Sequence, residues 1–336
     1  MRITGAVLKR LFIVGCCSLF ALASICDNGG TPPVDAGLYH TYAELQTELT
    51  EISNNYPDIT QLKSIGKSLE GREIWALKIS DNVTADEDEP VAVFLGAHHA
   101  REWISVEVPL MIGRHCIENY AGDARFRNLV DNAEIWVVPM VNPDGHNYSV
   151  LVDRLWRKNR RNNRDGSYGV DLNRNYGYQW GGPGSSGDTF SEIYRGPAPF
   201  SEPETQAMRD FLTEVEPDVL ISYHNFSQLI LFPWGFTNDP APDKAVMNQL
   251  AVAMSDKIRQ VHGEYYRPGQ ASTLYLSSGD TCDWLYAFLS VPAYTIELRP
   301  VGSYPGFELP EDEIQPTFDE NLPAALYLTE WMIGQN

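Results

Sequence analysis

The chain has 336 residues, of which 43% are hydrophobic and 21% charged, as is typical of a folded globular protein with one large domain or two small ones. Its formal net charge is −20 at pH 7. Because nucleic-acid binding needs a basic face for the phosphates, this charge argues against a nucleic-acid partner, and we interpret the acidity as a source of solubility.

The first 23 residues have the pattern of a secretory signal peptide. A positively charged start (residues 2–10) precedes an apolar run (residues 11–22), and Ala21-Leu22-Ala23 offers a small-residue cleavage site. The apolar run is too short to span a membrane, so we expect an exported, secreted protein in an extracellular or periplasmic location. Residues 24–37 are rich in Gly, Pro and Asp and are interpreted as a linker.

The five cysteines do not have the pattern of a disulfide framework. Cys16 and Cys17 lie in the predicted signal, which leaves Cys26, Cys116 and Cys282 as an odd and widely spaced set. Lipid attachment at Cys16 or Cys26 is an alternative to simple export, but the apolar run before Cys16 is very short. We therefore favour simple export.

Residues 38–336 are predicted to form one domain in which helices and strands alternate. In chain order, the apolar patterns predict helix Tyr42–Asn54, strands Ile74–Ile79 and Val91–Leu95, helix Trp103–Tyr120, strand Ile135–Val141, helix Ser201–Val215, strand Val219–Tyr223, helix Met247–Val261, strand Ala293–Leu298 and helix Ala324–Ile333. The third helix has a capping-box start in Ser201-Glu202-Pro203-Glu204. This alternation predicts an α/β fold with a mixed, twisted sheet and helices on both faces.

Three of the predicted strands end in unusual polar groups. GAHHAREW (residues 96–103) follows one strand, SYHNFS (222–227) ends the second, and TIELRP (295–300) ends the third. Because ligands bind beyond the carboxyl ends of strands in open α/β sheets, this placement favours a functional site at that edge.

The pair His99 and Glu102 has the spacing of two ligands that converge on one ion where a strand turns into a helix. Catalytic zinc takes three protein ligands and keeps a fourth position for water, and His224, at a later strand end, offers a third ligand. His98 would project the opposite way from His99 on a strand. From these residues alone, a strand end whose histidines form hydrogen bonds with nearby groups remains the simpler alternative.

GAHHAREWIS resembles the zinc motif of the metallocarboxypeptidases, the family of pancreatic carboxypeptidases A and B. Further motifs match that family in order, namely NPDG (142–145), RLWRKNR (154–160), DLNRNY (171–176), SYHNFSQLILFPWG (222–235), LYLSSGDTCDW (274–284) and TIELR (295–299). The resemblance covers about Tyr42–Trp331. It implies a zinc carboxypeptidase-like fold and hydrolysis of the C-terminal peptide bond of peptides and proteins.

The resemblance implies one Zn²⁺ per chain, held by His99, Glu102 and His224, a ligand set known from carboxypeptidase A. His98 is then the spare histidine, at a position where the family varies. The family's catalytic glutamate maps to Glu297, which would take a proton from the attacking water and deliver it to the leaving amine. Without the resemblance, an ion pair of Glu297 with Arg299 is the alternative for an acid in a buried strand.

The remaining site residues are also implied by the resemblance. Arg157 would polarise the scissile carbonyl and stabilise the oxyanion, although a basic run such as Arg154–Arg164 is usually a solvated face. Asn173 and Arg174 would form a clamp for the terminal carboxylate of the substrate. Tyr275 would be the mobile tyrosine, Arg101 would lie at an outer subsite, and Asn225 is also implied to bind substrate. A clamp for a free carboxylate makes the enzyme an exopeptidase.

The specificity pocket maps to six residues, Leu231, Gly235, Gln270, Leu274, Asp280 and Cys282. Cys282 stands where B-type enzymes carry an aspartate, so the resemblance favours large apolar or aromatic C-terminal residues. Asp280 and Gln270 add polarity, which favours additional acceptance of basic residues. If Asp280 instead caps the following helix, basic residues would not be accepted.

Other interpretations remain open. A carboxypeptidase acting on cell-wall peptides would share the zinc ligands and Glu297, whereas a non-catalytic binding homologue would be expected to lose one of them. The family-like region begins near residue 40, directly after the predicted linker, so we expect no large N-terminal pro-domain. We also expect a monomer without a membrane span. Asp86-Glu87-Asp88-Glu89 is interpreted as an exposed acidic turn, with calcium binding as the alternative.

Overall fold

The computed structural model describes residues 36–85 and 87–335. The predicted signal peptide, both candidate lipid-attachment cysteines, Asp86 and all but the last two residues of the predicted linker therefore lie outside the described residues.

The described residues contain eight strands that form one mixed sheet in the order β1-β2-β4-β3-β5-β8-β6-β7. The strands are β1 (Thr60–Lys67), β2 (Glu73–Ile79), β3 (Val91–Leu95), β4 (Glu134–Val138), β5 (Val219–Asn225), β6 (Leu229–Phe232), β7 (Arg267–Gln270) and β8 (Ala293–Leu298). The four central strands, β4, β3, β5 and β8, are parallel, while β1, β2 and β6 join by antiparallel pairing.

Eight α-helices accompany this sheet in the described part of the chain. They are α1 (Tyr42–Asn55), α2 (Ile104–Asn119), α3 (Ala124–Val130), α4 (Pro143–Leu151), α5 (Pro203–Val215), α6 (Lys244–His262), α7 (Thr281–Leu289) and α8 (Ile314–Ile333). None of these helices is both long and apolar enough to cross a bilayer.

The central strands are apolar on both faces because helices cover both. In β3, Phe94 packs in a core cluster with side chains of α2, α6 and α8, whereas Val93 and Leu95 pack in a second cluster with α5 and α7. Successive residues of a strand point to opposite faces, which explains why this strand is apolar throughout. The predicted α/β architecture with helices on both faces is confirmed.

Three predicted helix starts differ from the structure by more than one residue. Helix α6 begins three residues before the predicted Met247. Helix α5 begins at Pro203 with Glu202 as its N-cap, and no side-chain hydrogen bond caps it. The Ser201 hydroxyl instead donates to Glu202 Oε1 at 2.6 Å, so the capping box does not form. Helix α8 begins ten residues before the predicted start and contains Pro323. Packing of α8 against α6 and α2 keeps it continuous despite a residue that commonly ends helices.

The register of the sheet places the polar strand ends side by side. His224 of β5 pairs with Glu297 of β8, and Leu95, the last residue of β3, pairs with Ser222 of β5. The chain leaves β3 through a tight turn at Gly96, where a Cβ atom would lie 2.0 Å from the Ser105 carbonyl oxygen. This close approach requires glycine.

Candidate active site

Two imidazoles and one carboxylate converge beyond the carboxyl ends of β3 and β5. Glu102 Oε1 lies 2.9 Å from His99 Nδ1, Glu102 Oε2 lies 2.9 Å from His224 Nδ1, and the two Nδ1 atoms are 3.1 Å apart. All three side chains are buried. Ligand atoms around one tetrahedral zinc ion lie about 3.3 Å apart, so the described donor set fits this metal.

Local backbone structure explains why His99 and Glu102 meet. Both lie in the turn between β3 and α2, where the Glu102 amide donates to the His99 carbonyl oxygen at 3.2 Å. This hydrogen bond closes a tight turn, which brings the side chains of His99 and Glu102 next to each other. His224 approaches from β5, which continues to Asn225 and so holds this ligand within the sheet.

Asp171 carries no predicted role, yet it supports two functional side chains. Its Oδ1 lies 3.2 Å from His99 Nε2, and its Oδ2 accepts hydrogen bonds from Arg157 Nη2 at 2.8 Å and Nε at 3.2 Å. Burial opposes ionisation, but Arg157, Arg174 and His99 hold the pKa of Asp171 well below its usual range. A carboxylate on the second nitrogen of a metal-binding histidine commonly orients the ring. The DLNRNY motif contained this residue, but its partners are distant in sequence.

Arg157 is buried beside the candidate metal site and does not lie on the solvated face that is usual for a basic run. Besides its two bonds to Asp171, its Nη1 lies 4.0 Å from Glu102 Oε1. Burial opposes the charge of the guanidinium, but the neighbouring carboxylates of Asp171 and Glu102 raise the pKa of Arg157 above its usual value. The group is therefore a fixed, fully charged cation beside the candidate metal centre.

Glu297 faces the same centre from β8 and is only 8% exposed. Among residues 36–85 and 87–335, no side chain forms a hydrogen bond or ion pair with its carboxylate. Burial, followed by the charge of Glu102, raises its pKa well above the usual range, against the opposing charges of Arg157 and Arg174. A carboxyl group of raised pKa can exchange protons near neutral pH.

The alternative ion pair of Glu297 with Arg299 is not formed. The Arg299 guanidinium contacts the carboxylates of Glu313 and Glu320 instead. Successive residues of β8 alternate between the two faces of the sheet, but both Glu297 and Arg299 lie at its end, where the chain turns at Pro300. Arg299 thus binds α8, and Glu297 is left facing the metal site.

The predicted carboxylate clamp lines a cavity that also opens to His99, His224 and Glu297. Asn173 and Arg174 are buried in its wall. Arg174 donates from Nε to the Gly184 carbonyl oxygen at 2.9 Å and from Nη1 to that of Asn173 at 2.7 Å, which holds its guanidinium in place. Tyr275, 51% exposed, stands at the opening with its ring 5.8 Å from the Arg174 guanidinium.

Four of the six predicted pocket residues line this cavity: Leu231, Leu274, Asp280 and Cys282. Asp280 has two contacts. Its Oδ1 accepts from the Asp283 amide at 2.9 Å and so caps α7, whereas its Oδ2 accepts from the Ser277 hydroxyl at 3.1 Å. Burial raises the pKa of Asp280, and no described Lys or Arg forms an ion pair with it. Helix capping and lining of the cavity are therefore not exclusive alternatives.

The other two predicted pocket residues do not line the cavity. The Gln270 amide nitrogen donates to the carbonyl oxygens of Trp234, Thr237 and Asp239. It stabilises that loop and adds no polarity to the pocket, contrary to the sequence-based prediction. Gly235 lies behind the wall, where a Cβ atom would come within 2.4 Å of Ser277 Oγ.

A wider groove, which His99, Glu102 and Glu297 also line, continues from the metal site. Its lining includes Arg101 and Asn225, both predicted to bind substrate. The Arg101 guanidinium lies 4.2 Å from the Phe307 ring centre, and its Nη1 donates to Glu192 Oε2 at 3.3 Å. Asn225 donates from Nδ2 to the Gly306 carbonyl oxygen at 3.3 Å, while its buried Oδ1 has no partner among the described residues.

A separate cluster of acidic side chains lies outside this site. Carboxylate oxygens of Asp81, Glu87 and Glu89 come within 4.8 Å of one another on the surface. Calcium binding there stays a hypothesis.

Comparisons with known proteins agree with this geometry. The sequence pattern of the zinc carboxypeptidase family matches residues 45–324. The chain is 37% identical over 288 residues to carboxypeptidase B of Astacus astacus, covering 84% of this chain and 93% of that protein. It is 34% identical over 295 residues to carboxypeptidase A1 of Rattus norvegicus, covering 87% of this chain and 70% of that protein.

The fold is also that of a solved relative. The structure of bovine thrombin-activatable fibrinolysis inhibitor in complex with tick carboxypeptidase inhibitor matches with a TM-score of 0.81 at 32% identity, covering 89% of this chain and 98% of that chain. Family pattern, relatives and fold all lead to one assignment. The chain belongs to the zinc carboxypeptidase family, and the protein is a metallocarboxypeptidase.

Proposed function

We propose that this metallocarboxypeptidase is exported and removes single residues from the C-terminus of peptides and proteins, with large apolar or aromatic residues preferred and basic ones accepted. The signal-peptide pattern of residues 1–23 supports export. The proposal on the substrate depends chiefly on one observation: the cavity that contains Asn173 and Arg174 also opens to His99, His224 and Glu297. A terminal carboxylate bound there would place the last peptide bond at the metal site.

In this proposal His99, Glu102 and His224 hold one zinc ion, which supplies Lewis acidity that polarises a carbonyl and lowers the pKa of water. The Glu297 carboxylate accepts a proton from the attacking water and delivers it to the leaving amine nitrogen. Its raised pKa and its lack of a hydrogen-bonding partner among the described residues support this role. Arg174 and Asn173 bind the carboxylate of the substrate.

Arg157 is proposed to stabilise the negative charge that develops on the carbonyl oxygen. Its bonds to Asp171 fix the guanidinium beforehand, so little reorganisation is needed during the reaction. Replacing Arg157 with Ala is expected to lower kcat by about 10²–10³-fold, the range found for loss of one oxyanion donor. Steady-state kinetics on a peptide ending in Phe would measure this.

The matched control is Arg164→Gln, which removes an exposed cation from the same basic run. That variant should retain the wild-type kcat. A kcat of Arg157→Ala within threefold of wild type would contradict the proposed role.

The pocket wall supports mixed specificity. Leu231 and Leu274 provide apolar surface, and burial of a substrate side chain against it contributes about 1.5–3 kcal/mol. Burial raises the pKa of the Cys282 thiol, which stays neutral and supplies no charge for a basic side chain. Asp280 is a carboxylate in the wall of the cavity and has no ion-pair partner among the described residues, so it is the proposed partner of a substrate Lys or Arg.

Replacing Asp280 with Asn tests this assignment. Because Asn is also a good N-cap, α7 should be retained. The kcat/KM for a peptide ending in Arg should fall about 10–100-fold, as expected for loss of a hydrogen bond between charged groups of about 1.5–3 kcal/mol. The kcat/KM for a peptide ending in Phe should change less than threefold and serves as the internal control. If Asp280→Asn releases C-terminal Arg as fast as the wild type does, Asp280 does not bind the basic side chain. A preference of the wild-type protein for C-terminal Glu would show that the pocket assignment is wrong.

The broad activity can be tested with a mixed peptide library. Release of C-terminal residues should be observed from peptides with a free terminal carboxylate and not from their C-terminal amides, because the amide removes the charge that Arg174 binds. A zinc chelator should stop the release. An absence of release in the zinc-loaded protein would contradict the proposal.

A further inference from the structure

His98 is fully buried beside the metal site although it offers no atom to the candidate metal centre. Its ring is stacked on that of His224, with ring centres 5.7 Å apart and an interplanar angle of 14°. Both of its nitrogens have polar neighbours, and these belong to two different parts of the active site.

On one side, His98 is connected to a metal ligand through Ser222. Ser222 Oγ lies 3.1 Å from His224 Nε2 and 3.4 Å from His98 Nδ1. Since Nδ1 of His224 faces the metal centre, its proton is on Nε2 and is donated to Ser222. The Ser222 hydroxyl is then free to donate to His98 Nδ1.

On the other side, His98 is connected to the carboxylate clamp through Thr281. His98 Nε2 lies 3.0 Å from Thr281 Oγ1 and 3.0 Å from the Tyr176 hydroxyl. Asn173 Oδ1 accepts from Thr281 Oγ1 and from the Thr281 amide, both at 3.0 Å. These two donors identify Oδ1 of Asn173 and leave its Nδ2 to donate to a carboxylate in the cavity.

The donors and acceptors form one consistent series. Each proton points in the same direction, from His224 through Ser222 to His98, and from His98 through Thr281 to Asn173. A single neutral tautomer of His98, protonated on Nε2, satisfies both halves. One half sets the nitrogen that His224 presents to the metal, and the other sets the amide group that Asn173 presents to substrate.

We propose that His98 is a positioning residue that connects the metal ligand His224, through Ser222, with the substrate-binding Asn173, through Thr281. Its effect on substrate rests on the proposed function, in which Asn173 binds the terminal carboxylate. Its effect on the metal does not depend on catalysis.

Three substitutions of His98 separate the two connections. Leu is apolar and removes both. The amide of Asn reaches about as far as Nδ1, and that of Gln about as far as Nε2, so Asn retains an acceptor for Ser222 and Gln retains a donor to Thr281. The full-length proteins are purified, and two quantities are measured: the zinc dissociation constant, by competition with a chromophoric chelator, and KM and kcat for a peptide ending in Phe.

For His98→Leu we expect the zinc dissociation constant to rise about 10–100-fold, the usual effect of losing an interaction that supports a metal ligand. We also expect KM to rise about tenfold, whereas kcat at saturating zinc and peptide should fall less than threefold. Asn should restore the zinc dissociation constant alone, and Gln should restore KM alone. If the Leu variant fails to fold, Ser222→Ala and Thr281→Val test the metal half and the substrate half separately.

Tyr223→Phe is the control, because it removes a buried hydroxyl without a described hydrogen-bonding partner from the residue next to Ser222. It should leave both quantities unchanged. The proposal is overturned if His98→Leu and Ser222→Ala both bind zinc as wild type does, or if the three His98 variants change both quantities equally, which would indicate packing alone. If the wild-type protein releases no C-terminal residues, the proposed function fails, while the zinc measurements still decide the metal half.

Discussion

Replacing Glu297 with Gln is expected to lower kcat by about 10²–10⁴-fold, the range attributed to a positioned general acid–base group. An amide has nearly the same shape as the carboxyl group but cannot accept a proton from water. The substitution should leave the fold intact because no described side chain forms a hydrogen bond or ion pair with this carboxylate. Zinc content should also be unchanged, since Glu297 is not one of the three converging ligands.

The measurements are kcat for a peptide ending in Phe, zinc per chain by elemental analysis and the thermal unfolding midpoint. Glu204→Gln is a matched control, because Glu204 is another buried glutamate, located on α5, and burial likewise raises its pKa, to about 7. The control should keep its kcat. Turnover of Glu297→Gln near the wild-type value would contradict a proton-transfer role for Glu297.

Replacing His99 with Ala is expected to abolish stoichiometric zinc binding, and peptide hydrolysis with it. The substitution removes one of only three protein ligands and leaves the Asp171 carboxylate without its contact on His99 Nε2. The effect should exceed the 10–100-fold typical of a residue that only supports a ligand. Equilibrium dialysis against buffered zinc gives both the stoichiometry and the dissociation constant.

His98→Ala is the adjacent control. At saturating zinc it should retain one ion per chain, with at most the moderate loss of affinity expected from the interrupted connection to His224. Loss of zinc from His98→Ala together with its retention by His99→Ala would show that the ligand assignment is wrong.

The spacing of apolar residues was sufficient to predict the buried central strands and the first amphipathic helix. The bounds predicted for β3 and β8 match the structure, and α1 differs by one residue, because buried parallel strands and amphipathic helices have distinct spacings. The edge strands β1 and β7 were not predicted. Gly and Pro interrupt their sequences, and their conformation depends on pairing with β2 and β6.

For the candidate site, too, the sequence indicated some features and the structure was needed for others. The three-residue spacing of His99 and Glu102 and the position of His224 at a strand end were apparent in the sequence, and the resemblance then implied that all three bind zinc. Resemblance also pointed to Gln270 as a pocket residue, which the structure places against loop carbonyls instead. A motif identifies a position in the chain, but not the direction of its side chain.

The sequence by itself determined the α/β alternation and the pairing of His99 with Glu102, because these follow from residue type and short-range spacing, and the order of its motifs indicated the family. Only the tertiary structure decided which buried charges meet. In the structure Asp171 contacts both His99 and Arg157. Arg299 forms an ion pair with Glu320 and none with Glu297. Each of these choices depends on side chains that are distant in sequence, and the cost of burying a charge without a partner selects among them only after the sheet has brought them together.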